Sequence, residues 1–174
     1  MRDSQGRPLL LPILAAAGAL LLLISAFATV ISVDVASGSC EQLSDTAPGL
    51  ADRCVQTGFE RHSIVFPLLG LAVIVMALGA WRGGSRPAAA ALVVLGAVAA
   101  GITVLGDLPA SNDTGVIGRD FSGASAEPGA GLWLAVIGGV LVILAGAAGL
   151  TERGGAAAAS RDGRGEPGKD AGRP

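Results

Sequence analysis

The side chains that could do chemistry are few, and they cluster in two stretches. Cys40 and Cys54 are the only cysteines. A disulfide between them would close a loop of about 15 residues and stabilise it by about 3 kcal/mol through chain entropy. Such a bond needs an oxidising compartment. His62 is the sole histidine, preceded by Glu60 and Arg61. One imidazole without further ligands at metal spacing does not make a metal site. The expected arrangement has Arg61 and His62 reaching to a membrane interface while Glu60 pairs loosely with one of them. A pH-sensitive contact with lipid or a partner is the functional alternative. Asn112-Asp113-Thr114 has the form of an N-glycosylation acceptor, which implies an exposed loop.

Asp113-Thr114-Gly115 resembles the nucleophile triplet of aspartic proteases. Those enzymes need a second catalytic Asp beside the first, in a β-rich fold. Here the triplet stands in a Gly/Ser-rich stretch between apolar runs, so no catalysis is expected of it. Quinone-linked thiol oxidases built as four-helix bundles use a C-x-x-C near the membrane plus a second pair. This chain has neither, so Cys40 and Cys54 are expected to form a structural disulfide. Phosphate-binding glycine loops, metal clusters and nucleophile–base pairs are missing from the sequence. The expectation is a protein without catalytic residues, metal or cofactor.

The elements that would position these residues follow from composition. Charged residues make up 15% of the chain, against about a quarter in a soluble domain, and mean hydropathy is +0.62. The net charge of −2 and the absence of Tyr give no footing for nucleic acid. Eleven of the twelve basic residues are Arg, a bias common in GC-rich bacterial genomes.

Apolar residues gather in four runs that hold no Asp, Glu, Lys, Arg or His. About 20 apolar residues cross a hydrocarbon core of about 30 Å as a helix. The sequence therefore predicts an all-α integral membrane protein, a bundle of four transmembrane helices over 9–33, 64–81, 88–106 and 132–150. Between them lie an N-terminal segment 1–8, a first long loop 34–63, a turn 82–87, a second long loop 107–131, and a tail 151–174. The tail is Gly-, Ala- and Arg-rich and is expected to be disordered. Pro12, Pro67 and Pro87 fall in first helical turns, where a missing N–H is tolerated. Trp81 and Trp133 fall at span ends, where indoles favour the interface.

Arg2, Arg7, Arg82, Arg86 and Arg153 crowd the short segments, whereas Arg53, Arg61 and Arg119 are diluted over the long loops. That bias predicts both termini in the cytoplasm and both long loops outside. Ala26-Phe27-Ala28 has the form of a signal-peptide cleavage site. The run before it is longer than a usual h-region and continues apolar through Val33, so an uncleaved first helix is expected.

Small residues dominate the spans. Gly131, Ala135, Gly138, Gly139, Val142, Gly146 and Gly149 recur at spacings of three and four, and the third span carries Gly96-x-x-x-Ala100 and Ala97-x-x-x-Gly101. Such ridges let helix backbones approach closely in lipid. They are expected to pack within one bundle, with a partner helix as the alternative. The only polar residues in the runs taken as pore-lining candidates are Ser25, Thr29, Ser32 and Thr103. Length and topology are similar to small four-span multidrug exporters, but those depend on a buried Glu in the first span, and none stands in 9–33. The cysteine pair in a first outside loop resembles claudin-type tetraspans, whose Trp-Gly-Leu-Trp motif before the cysteines is missing. The reading is a non-enzymatic scaffold or accessory subunit in the cell membrane. Its expected partners are the lipid bilayer and either a second copy or another membrane protein. An oligomeric transporter or channel is the competing class.

Overall fold

The computed structural model describes residues 9–34, 55–111 and 124–162, with side chains over 9–33, 55–111 and 124–151. Cys40, Cys54 and the Asn112–Gly115 motifs lie outside the described residues. Among the described residues, four helices are long and apolar enough to cross a membrane, as in a multi-pass membrane protein.

The first apolar run divides into two kinds of structure. Helix α1 spans Leu10–Phe27, about 27 Å long and close to the hydrocarbon thickness. Ala28 then turns extended, with φ −83° and ψ 156°, and strand β1 takes Thr29–Asp34. The expected helix to Val33 is therefore too long. Thr29, Val30, Ile31 and Val33 are β-branched, lose rotamer freedom in a helix and fit a pleated surface.

After the first connection, β2 covers Val55–Thr57 and leads directly into the short helix α2, Gly58–His62. Helix α3 spans Val65–Gly83. A tight turn through Gly84, at φ 60°, joins it to α4, Arg86–Gly101. Ser85 caps α4 by accepting from the Ala88 N–H, and Pro87 sits in its first turn. The helix then widens into a π-helical segment, Ile102–Asp107, and ends in one α-turn, Leu108–Ala110. Strand β3, Ser125–Pro128, leads into α5, Ala130–Asp162. This last helix continues past Leu150, where a disordered tail was expected. The alanines at 156–159 are strong helix formers extending a helix already nucleated.

The fold is thus not all-α. Strand β1 lies between β2 and β3 in a three-stranded sheet and is antiparallel to both. Ser32 faces Val55 on one side and Glu127 on the other. Val30 and Ile31 of β1 form a small apolar cluster with Leu132 of the last helix. Each strand abuts a helix with almost no linker: β1 leaves α1, β2 enters α2 and then α3, and β3 enters α5. The sheet consequently ties three spans together at one end of the bundle.

The spans pack as a ring. Helix α5 packs most extensively on α4 and α1, α3 packs on α1 and more lightly on α4, and α3 barely meets α5. The core is built from small and medium residues, including Ala15, Ala19, Leu22, Val73, Leu92, Ala99, Val142 and Ala145. Large apolar side chains such as Leu20, Leu71, Val94 and Ile137 face outward, where lipid can solvate them.

Glycine fixes the closest approaches. A methyl group on Gly138 would lie 3.0 Å from the Gly18 carbonyl oxygen of α1. On Gly139 it would lie 3.0 Å from the Gly96 carbonyl oxygen and 3.1 Å from the Ala100 nitrogen of α4. Gly146 meets the Ala89 carbonyl and Val93, and Gly131 meets the carbonyls of Ala28 and Thr29. The small residues of α5 therefore form two contact lines, one toward each neighbour. Ala135 and Gly149 are buried, whereas Ala97 is exposed and Gly101 faces open space.

Candidate functional site at the sheet end

The sheet end of the bundle carries a group of ionisable side chains that the fold gathers. Its scaffold is α2, five residues long and held by its ends. Thr57 forms a capping box with Glu60. The Thr57 hydroxyl accepts from the Glu60 N–H at 3.3 Å, and the Glu60 carboxylate accepts from the Thr57 N–H at 2.8 Å. The Thr57 hydroxyl also lies 3.0 Å from that carboxylate. The Thr57 N–H, and then its hydroxyl, hold the Glu60 carboxyl below its ordinary value. Glu60 is thus committed to its own helix and pairs with neither Arg61 nor His62, contrary to the sequence expectation.

Arg61 and His62 instead turn toward Asp107, which lies 2% exposed at the end of the π-helical segment. The Arg61 Nε lies 2.5 Å from Asp107 Oδ1. The His62 Nε2 lies 2.9 Å from both carboxylate oxygens. The arginine and histidine side chains keep 25% and 17% exposure, so water reaches the donors and not the carboxylate. The His62 ring also stands edge-on to Phe66, with centroids 5.1 Å apart.

Two backbone irregularities frame this cluster. Ser63, which caps α2, has φ 51° and ψ −126°, a region that glycine favours and other residues rarely adopt. Its N–H donates to the Phe59 carbonyl at 2.7 Å. Opposite it, the π segment widens α4 by one residue. Beyond it the Ser111 N–H donates to the Asp107 carbonyl at 2.8 Å.

The sequence reading placed Asp107 at the start of a loop and found no ionisable residue in the spans. The structure buries Asp107 within the helical stretch Arg86–Ala110. Its partners stand 45 and 46 residues earlier, and no local pattern announces so distant a pairing. The proposed hydroxyl face is not assembled. Ser25 donates to the Leu22 carbonyl and Thr103 to the Ala99 carbonyl, both within their own helices. Thr29 and Ser32 lie beyond α1, in β1.

Glycines that the sequence reading passed over shape this end. Gly58 sits against the Ser25 carbonyl and the Ala26 backbone, and its N–H donates to the Ala28 carbonyl at 3.2 Å. The Gly129 N–H donates to the Val30 carbonyl at 2.8 Å, with its α-carbon pressed against Thr29. The passage from α1 into β1 is thereby gripped from both sides by backbone that no side chain could approach as closely. No protein-family model, curated protein or solved structure matches the chain.

Chemically the cluster is a charge-compensated latch. A carboxylate withdrawn from water is stable only when paired and hydrogen-bonded, and here Arg61 Nε and His62 Nε2, the latter set against both oxygens, supply that. The latch joins α4 to α2, so the one span without an adjoining strand among the described residues is also tied to the sheet end.

Proposed function

We propose that the protein is a non-enzymatic scaffold or accessory subunit of the cell membrane, acting through its sheet end and its helix faces. The observation that carries this reading is the joining of all four spans at one end. Three are joined through strands β1, β2 and β3, and the fourth through Asp107. Such a joint presents a rigid surface at one face of the membrane, and rigid presentation suits a protein that holds partners. The Arg-rich short segments favour both termini in the cytoplasm, which puts the sheet end outside. Affinity purification of the full chain from native membranes tests the proposal. A stoichiometric membrane partner, lost when the sheet end is altered by Gly58→Val, supports it. Recovery of the chain alone overturns it.

A second reading, an oligomeric small-solute transporter or channel, is favoured by Asp107, because ionisable groups within spans commonly mark solute or ion paths. Purified protein in liposomes separates the two. Solute or ion flux above that of empty vesicles, abolished by Asp107→Asn, would establish transport in place of the scaffold.

A further inference from the structure

We propose that the sheet end of α4 is a two-register switch, held in its π-helical register by Arg61 and His62. A π turn contains one residue more than an α turn. Every residue beyond it is therefore set back by one position, about 100° around the axis. The burial pattern follows that shift. Ala99, Thr103, Asp107 and Ser111 are all buried, at a constant spacing of four. An α-helix continued from Ala99 and Thr103 at 3.6 residues per turn would turn Gly106 and Ala110 inward instead. Asp107 would swing away from α2.

The sequence accommodates both registers. Gly106 is small enough to occupy the inward position that Asp107 now holds, and Ala110, already partly buried against the Val30–Ile31–Leu132 cluster, the one that Ser111 holds. In the observed register Gly106 faces open space, with no atom within 4 Å of an added methyl group, so nothing packed against it opposes a rotation. A π turn is a rare interruption of an α-helix, so a local cause is needed to hold it. Within this cluster that cause is the pairing of Asp107 with Arg61 and His62. Withdrawing these donors leaves an uncompensated buried charge, and rotation to the α register relieves it. Anything that lifts α2 from the bundle is thereby read out as a turn of the end of α4. The strained Ser63 is the pivot on which α2 would lift.

The test uses the full chain in detergent, with maleimide labelling at introduced cysteines followed by peptide mass mapping, so that the native cysteines are retained. Ser111→Cys reports a site that is buried in the π register, and Gly106→Cys one that is open. Asp107→Asn should accelerate labelling at position 111 by about tenfold or more and slow it at position 106. Local unfolding would accelerate both, and that outcome overturns the proposal. Unchanged rates at both sites overturn it as well. Gly106→Leu provides the reciprocal variant, because a leucine fits the open side of the π register and clashes inside the α register. Added to Asp107→Asn, it should return position 111 to slow labelling. Failure to do so, in a chain that elutes as the parent does, also overturns the switch.

Discussion

At the scale of single residues, the sheet end concentrates two costs in a short stretch. Asp107 gives up water, and its contacts with Arg61 Nε and His62 Nε2 offset that loss. Ser63 gives up its preferred backbone, at a φ of 51°. A non-glycine residue in such a region costs about 1–3 kcal/mol, while glycine costs about 0.5–1 kcal/mol in unfolded-state entropy. Ser63→Gly should therefore stabilise the protein by about 1 kcal/mol, seen as a higher Tm in detergent. Ser63→Ala, which keeps the Cβ, should give no such gain. Equal behaviour of the two variants would mean that the strain is absent in the membrane-extracted protein. None of this was legible in the sequence. Glu60, Arg61 and His62 were visible as a charged trio, but the capping box takes Glu60 away, and only folding brings Asp107 to the other two.

At the scale of elements, lipid makes the spans easy to read and the sheet hard. A spanning helix must be apolar over about 20 residues, so the four runs were visible at once; the ends of the second and third shifted by only a few residues, whereas the fourth helix runs on to Asp162. The first run misled because β1 is nearly as apolar as α1. Its signal was β-branching, Thr29-Val30-Ile31, rather than hydropathy. The glycine spacing was legible as a pattern, although its division between two neighbouring helices was not. Gly139 stands on the line facing α4, where backbone meets backbone. Gly139→Leu should lower stability by about 1–3 kcal/mol or more through overpacking, even though leucine favours insertion and helix formation. Ile137 is 50% exposed on the outer face, and Ile137→Leu should be nearly silent. Thermal unfolding and size in detergent measure both. A Gly139→Leu protein as stable as the Ile137→Leu control would show that these close approaches carry no weight.

At the scale of the whole molecule, the two ends of the bundle differ in kind. One end holds the sheet, α2 and the buried Asp107. The other has the Gly84 turn, with Arg82 lying over the Trp81 ring at 5.8 Å. The Arg bias of the short segments predicts the turn on the cytoplasmic side and Asn112 on the exterior. Cysteines introduced singly at positions 84 and 112, treated on intact cells with an impermeant maleimide and located by peptide mapping, test this. Labelling at 112 alone is expected; labelling at 84 alone would invert the molecule. The direct join of strand to helix also sets a schedule for biogenesis. Strand β1 is synthesised immediately after α1, yet its outer neighbour β3 lies more than ninety residues further along the chain. At translation rates of 5–20 residues per second, one edge of β1 stays bare for on the order of ten seconds. The sheet can close only once the segment just ahead of α5 has been delivered to the same side of the bilayer. Its closure therefore comes only after the first three spans are in place, and until then β1 is an open template that a chaperone on that side would have to shield.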